Sequence, residues 1–181
     1  MISEPFIAQT SRLSVRRLTP QDAPFTLKLL NEPSWIEFIG DKNVHNLADA
    51  RAYLADGPIS MYAQHNMGMY LVVSKANAEP VGMCGLLQRD TLDDVDLGLA
   101  FLPDHWGAGY ASEAAVAVLQ HGRQQLGLSR IVAITLPSNS ACITLLERIG
   151  FNYEKDVCFQ PDNEMLRLYG IDTESLPETN P

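Results

Sequence analysis

The spacing of apolar and polar positions changes period several times along this chain, and each change marks an element. Leu13 and Val15 alternate with polar neighbours between Arg12 and Leu18, the two-residue period of a strand, with Arg17 next on the same face. Thr19-Pro20-Gln21-Asp22 then supplies a hydroxyl N-cap, a proline at the first helical position and an acid three residues after the cap. The helix it opens carries Phe25, Leu29 and Leu30 and stops at Asn31-Glu32-Pro33. A short helical piece is predicted over Ser34 to Phe38, with a break near Gly40-Asp41. Another helix starts at Asn46 or Leu47 and ends at Gly57-Pro58.

The middle of the chain is strand-rich. Met69 to Val73 and Pro80 to Leu87 are apolar runs separated by a hairpin turn at Lys75 to Glu79. A second turn, Asp90 to Asp94, leads to a strand from Val95 to Leu102. There Val95, Leu97, Leu99 and Phe101 alternate with Asp96, Gly98 and Ala100, which together predicts an antiparallel meander. A helix follows from Ala111 to Leu126 with an apolar stripe of Ala111, Ala114, Ala115, Val118 and Leu119, closed by Gly127. Ile131 to Leu136 reads as a buried strand, and Ser138-Asn139 starts a second helix that stops at Gly150. Phe151 to Phe159 and Glu164 to Tyr169 form a closing pair of strands. The polar, acidic stretch 172–181 is expected to be a flexible tail. One mixed α/β or α+β domain spanning residues 1–181 is the predicted organisation.

Composition narrows the function. The chain is 46% hydrophobic and 19% charged, enough for a substantial core. No apolar run approaches the roughly 18 residues of a membrane span, so no membrane partner is expected. Met1-Ile2-Ser3-Glu4-Pro5 lacks a basic segment followed by an apolar stretch, so the expected location is the cytoplasm. Cys84, Cys142 and Cys158, like His45, His65, His105 and His121, are too scattered for a metal site, and none is expected. The net charge is −9 and the longest basic pair is Arg16-Arg17, so nucleic acid is not an expected partner. The acidity suits a cationic substrate such as an amine or a basic peptide, and equally serves solubility alone.

The candidate chemistry lies between the meander and the long helix. In Trp106-Gly107-Ala108-Gly109-Tyr110-Ala111-Ser112-Glu113, small residues leave backbone N–H groups unobstructed at a helix N-terminus, where unsatisfied donors and a partial positive charge coincide. That combination predicts a phosphate or pyrophosphate site. A dinucleotide fingerprint would follow the first strand, and a Walker loop would end in Gly-Lys-Ser/Thr; neither pattern occurs.

This stretch resembles the acetyl-CoA loop of the GNAT acyltransferase superfamily, with Gly109 and Ala111 in the small positions and Trp106 in place of the usual Gln/Arg. Trp-Gly-x-Gly-Tyr-Ala-x-Glu-Ala is similar to the ribosomal-protein N-terminal acetyltransferase (RimJ/RimL-like) branch. So are Arg12-Leu-x-x-Arg16-x-Leu18-Thr-Pro-x-Asp22, Asp96-Leu97-Gly98, and Asn139-x-x-Cys142 followed by Leu145 to Gly150-Phe151. The resemblance covers residues 10 to 170. It implies a GNAT-like α+β fold with a central twisted, mostly antiparallel sheet of six to seven strands flanked by helices. It also implies acetyl-CoA as acyl donor. The pyrophosphate would sit on the amides of Gly107, Ala108, Gly109, Tyr110, Ala111 and Ser112. The pantetheine arm would run beside Phe101 and Leu102, with Asn139 on its other side. The acceptor would be an amine, most readily a protein or peptide N-terminus. A small amine or antibiotic is the alternative acceptor, and a CoA-binding module without turnover or a nucleotide-binding protein is the alternative to catalysis. A homodimer is left open.

Acyl transfer to an amine requires removal of the amine's proton, stabilisation of the oxyanion and protonation of the leaving thiolate. Asp96 is the candidate base, acting through water, where many relatives carry Glu; ending a turn or pairing with a surface cation is the alternative. The position where many superfamily members have a proton-donating tyrosine holds Leu146. Cys142, in place of the branch's serine, is the candidate acid, with a pKa expected to fall at the helix N-terminus; packing is its alternative role. Trp106 is expected to pack the loop. Trp35, Glu37 and Phe38 form either one wall of the acceptor site or an apolar plug between helices.

Overall fold

The computed structural model describes residues 6–159 and 163–176. Its strands are β1 (Ala8–Gln9), β2 (Leu13–Arg17), β3 (Met69–Ser74), β4 (Pro80–Leu87), β5 (Asp96–Phe101), β6 (Arg130–Thr135), β7 (Asn152–Phe159) and β8 (Glu164–Asp172). They form one sheet in the order β1-β2-β3-β4-β5-β6-β8-β7. Each neighbouring pair is antiparallel except β5 and β6. The helices are α1 (Ala23–Leu30), α2 (Pro33–Phe38), α3 (Leu47–Leu54), α4 (Ser60–His65), α5 (Tyr110–Leu126) and α6 (Ser140–Arg148).

The two-residue period of the strands sorts the core into two layers. Tyr70 and Val72 of β3 pack with Leu13, Val15, Val95, Leu97 and Phe101 against Ala114, Ala115, Val118 and Leu119 of α5. Leu71, between them on β3, faces the other way and packs with Met83, Leu102 and the α1 and α3 residues Leu29, Leu30, Ala50 and Leu54. The sheet is therefore covered on both faces, which is why β3 and β4 are apolar at nearly every position.

The predicted cap of the first helix forms as a capping box on a 3₁₀ turn, Pro20–Asp22. The Thr19 N–H donates to Asp22 Oδ2 at 2.8 Å, and Arg16 grips the same carboxylate through Nη1 at 2.9 Å and Nη2 at 2.8 Å. Arg16 and the Asp22 cap therefore lock the end of β2 to the start of α1.

Three expectations change. The sheet has eight strands rather than six to seven, because β1 is a two-residue strand, too short to show an alternation. The break at Gly57-Pro58 is not an end: Ala55–Ile59 forms a single π turn that carries α3 into α4. The Ser60 N–H reaches the Ala55 carbonyl, so the wide turn steers around the N–H that Pro58 lacks. The stretch read as a flexible tail begins docked. Thr173 Oγ1 donates to the Leu128 carbonyl at 2.6 Å and the Thr173 N–H to the Ser129 carbonyl at 2.9 Å, and Leu176 is buried in the α5 cluster. The remainder of that stretch, 177–181, and the N-terminal residues 1–5 lie outside the described residues.

Candidate active site

The site is built where the sheet comes apart. β5 and β6 share one parallel register pair, Asp96 with Val132, anchored by the Val132 N–H on the Val95 carbonyl at 2.9 Å. Beyond it β6 pairs only with β8, and β5 only with β4. The Leu102 N–H bonds the Val81 carbonyl of the β4 side at 3.0 Å, so by the alternation of an antiparallel ladder the backbone groups of Leu99 and Phe101 point into the gap. Arg130 pins the closed end, with Nε on Asp94 at 3.0 Å and Nη2 on Glu154 at 2.7 Å.

Leu102 does not fit its predicted place along the pantetheine arm. Its N–H is taken by Val81, its carbonyl accepts from the His105 N–H at 3.0 Å, and its side chain is buried on the α1–α3 side. The Phe101 carbonyl accepts from the Trp106 indole N–H at 2.8 Å, which leaves its N–H facing the gap. Trp106 ties the loop to the end of β5 through this bond while its ring stays 56% exposed.

The loop meets the donor requirement of an anion site. Gly107 and Gly109 have φ of +74° and +79°, conformations that favour glycine, and Gly109 is the N-cap of α5. The first helical bond runs from the Glu113 N–H to the Gly109 carbonyl at 3.1 Å, and no side chain caps the helix. The amides of Tyr110, Ala111 and Ser112 are therefore left to a ligand or to water. Gly107, Ala108 and Gly109 are exposed.

Asp96 shares the closed end. It is only 1% exposed, on the same strand face as Gly98 and Ala100. That face belongs to the α1–α3 layer, because Ala100 packs into its cluster and a Cβ at Gly98 would meet the Met69 sulfur at 3.2 Å. Arg89 Nε donates to Asp96 Oδ1 at 2.9 Å. Burial raises the Asp96 pKa and Arg89 opposes it without cancelling it. Tyr53 of α3 stands within the field of the same guanidinium; its phenol is pushed up by burial and drawn back by Arg89.

Asn139 caps α6: its Oδ1 accepts from the Cys142 N–H at 3.1 Å, and its two Nδ2 donors are the groups it can offer an acceptor on a ligand. Cys142 sits in the first turn, hydrogen-bonded to Thr135 at the end of β6. Its thiol corrects the sequence expectation. Burial pushes its pKa up, and the Thr135 bond only partly offsets this, so the group is a protonated thiol at neutral pH. Trp35 is buried in the α1–α3 cluster with Leu30, Val44 and Leu54, the plug of the two readings, while Glu37 is exposed and Phe38 half-buried beside it.

The sequence reading missed Arg89 and Tyr53, which lie in a turn and on a helix with no motif of their own. Arg12 opens the first-strand motif, and the sequence alone gives it no role. Arg12 Nη1 donates to the Ala108 carbonyl at 2.8 Å and Nη2 pairs with Glu113 at 2.6 Å.

The chain matches known proteins in sequence and in fold. The family model described as the acetyltransferase (GNAT) domain matches residues 12–152. The chain belongs to the GNAT acetyltransferase family. Among curated relatives, YkkB of Bacillus subtilis is 32% identical over 95 residues, 51% of this chain and 55% of that protein. The uncharacterised N-acetyltransferase YoaA of Bacillus subtilis is 28% identical over 151 residues, 82% of this chain and 84% of YoaA. The same fold occurs in RimL, a ribosomal L7/L12 alpha-N-protein acetyltransferase solved in complex with coenzyme A. That match has a TM-score of 0.80 and 16% identity and covers 93% of this chain and 98% of that one. This GNAT chain is an acetyl-CoA-dependent N-acetyltransferase, and its uncapped helix and the free edge of β5 fit such a donor. Among the described residues, no helix is long and apolar enough to cross a membrane.

Proposed function

We propose that this N-acetyltransferase acetylates the α-amine of a peptide or protein N-terminus, with Asp96 and Cys142 handling the protons. The observation that carries the reading is the parting of β5 from β6 with Asp96 at its closed end. Acetyl-CoA supplies an activated thioester acyl group. The chain's own residues do the rest. The amides of Tyr110, Ala111 and Ser112 hold the pyrophosphate, the free edge of β5 at Leu99 and Phe101 orients the arm, and Asn139 Nδ2 donates to it from the α6 side.

Asp96 faces the α1–α3 layer, whereas Cys142 packs against the α5 cluster. Acceptor and donor then approach from opposite faces of the sheet and meet at the gap. Asp96 takes the amine's proton through a water, because its burial leaves no room for direct contact. Its raised pKa makes it a better proton acceptor than an ordinary aspartate. Cys142, held protonated, gives its proton to the leaving sulfur and is restored from solvent.

Likeness to a ribosomal-protein N-terminal acetyltransferase supports a peptide acceptor, as does the net charge of −9, which attracts a cationic terminus. A panel of N-terminal peptides and small amines, followed by acceptor-dependent CoA release, tests it. The expected result is turnover with peptides and little with small amines. Turnover confined to small amines would replace the peptide, and CoA binding without release by any acceptor would favour the binding module.

A further inference from the structure

The β1–β2 turn is docked on the first turn of α5 by a network of hydrogen bonds and an ion pair. Glu113 Oε1 accepts from Thr10 Oγ1 at 2.5 Å and from the Arg12 N–H at 3.2 Å. Glu113 Oε2 accepts from Arg12 Nε at 2.7 Å and pairs with Nη2 at 2.6 Å. The third guanidinium nitrogen, Nη1, donates to the Ala108 carbonyl at 2.8 Å. The guanidinium carbon lies 4.8 Å from the centre of the Tyr110 ring. A Cβ on Gly109 would stand 3.4 Å from Nη2. The turn is itself fixed, because the Arg12 carbonyl accepts from the Lys75 N–H at 2.9 Å and the Leu13 N–H bonds Thr10 Oγ1 at 2.9 Å.

This arrangement acts on the loop in two ways. A trans peptide points its carbonyl and N–H in opposite directions, so drawing the Ala108 carbonyl toward Arg12 turns the Gly109 N–H away from it. Glu113, in the first turn of α5, would otherwise set a bare negative charge beside the anion site. Burial pushes this carboxyl up, yet the bonds from Thr10 and Arg12 outweigh that and keep it ionised below the usual range. An ionised carboxylate at that place repels a pyrophosphate unless a cation balances it.

We propose that Arg12 is a positioning residue for the donor site: it aims the Gly109 amide and cancels the Glu113 charge, so that the loop accepts the pyrophosphate of an acyl-CoA. The proposal rests on the reading that residues 107–112 hold that pyrophosphate. It concerns the β1–β2 turn, which lies outside the loop.

The test compares CoA with pantetheine, which lacks the pyrophosphate and the nucleotide, by calorimetric titration of the full chain. In the wild type CoA binds more tightly than pantetheine; equal affinity would overturn the loop reading and this proposal together. Arg12→Gln is expected to weaken CoA about tenfold and to leave pantetheine unchanged. The double variant Arg12→Gln/Glu113→Gln recovers much of the loss, because the uncompensated charge is gone. In kinetics, KM for acetyl-CoA rises and kcat at saturation holds. Arg12→Lys, which keeps the charge but not the fork, falls between wild type and Arg12→Gln. Wild-type CoA affinity in Arg12→Gln, or an equal loss for CoA and pantetheine, contradicts the proposal. If Arg12→Gln does not fold, Arg12→Lys and the double variant decide by the same CoA-to-pantetheine ratio.

Discussion

Arg89 Nε and Asp96 Oδ1 are 2.9 Å apart, and this bond joins a guanidinium that is 40% exposed to a carboxyl that is 1% exposed. Burial raises the Asp96 pKa, and Arg89 is what limits the rise. Removing the cation leaves burial opposed only by a backbone hydrogen bond, so the folded pKa climbs further. Arg89→Ala is therefore expected to move the acidic limb of the kcat/KM profile to higher pH. Arg89→Lys moves it less. A profile that keeps its position in Arg89→Ala would take Asp96 out of the role of base.

The same raised pKa sets a sign for stability, opposite to that of Asp22. Asp96 holds its proton more tightly in the fold than in the unfolded chain, so its contribution is full below the unfolded value of 3.8 and is lost as pH rises through the folded one. Asp22 is also pushed up by burial, but Arg16 and Thr19 outweigh this and its pKa is lowered. Its contribution is present above 3.8 and is lost as pH falls through the folded value. Asp22→Asn should lower the melting temperature near neutral pH and flatten its fall below about pH 4. An equally steep acid limb in the variant would show that other carboxylates govern acid unfolding.

Cys142, Cys158 and Cys84 should separate by reactivity. Cys158 is exposed, Cys84 is buried and Cys142 is partly buried with its thiol held protonated. Mass-spectrometric mapping with an alkylating reagent near neutral pH is expected to modify Cys158 first, Cys142 slowly and Cys84 not at all. Cys142→Ala should lower kcat about tenfold or more with CoA affinity nearly unchanged. Unchanged turnover would assign Cys142 to packing.

Asn139 has two jobs that one atom change separates. Asn139→Asp keeps the oxygen that caps α6 at the Cys142 N–H and removes the Nδ2 donors. It should melt near the wild type and raise KM for acetyl-CoA. Asn139→Ala loses both and should cost about 1 kcal/mol of stability as well. Equal KM in Asn139→Asp and the wild type would leave Asn139 as a cap alone.

Gly82 controls the wall of the gap by leaving room. A Cβ there would lie 2.5 Å from the Phe101 ring and 2.6 Å from the Ala100 carbonyl, and the carbonyl cannot swing aside. Gly82→Ala is expected to cost roughly 1–3 kcal/mol and to weaken acetyl-CoA by displacing Phe101 from the free edge of β5. Denaturant unfolding and a CoA titration check the two effects, and wild-type values in both would show that the strands absorb the methyl group.

The fold was largely legible because its elements are bounded locally. The Thr19 to Asp22 cap, the alternation from Val95 to Phe101 and the closing Gly127 are written in a few adjacent residues. β1 escaped because two residues carry no period, and the turn at Gly57-Pro58 because punctuation does not distinguish a stop from a π turn. The donor loop was visible in its small residues. Its brace was not: Arg12 and Glu113 stand far apart in the chain, and only the packing of β1 and β2 against α5 brings them together. The same limit hid Arg89, which gains meaning only where the β4–β5 turn folds back on Asp96. The Cys142 expectation erred because it weighed the helix terminus and could not see the burial that outweighs it.

Mass spectrometry of N-terminal peptides incubated with acetyl-CoA and the enzyme tests the reaction itself. The expected product carries one acetyl group on the α-amine, forms with the wild type in step with CoA release, and is lost with Asp96→Ala while that variant still binds CoA. Peptides that stay unmodified while the wild type binds CoA, or that are acetylated equally by Asp96→Ala, would contradict the assignment.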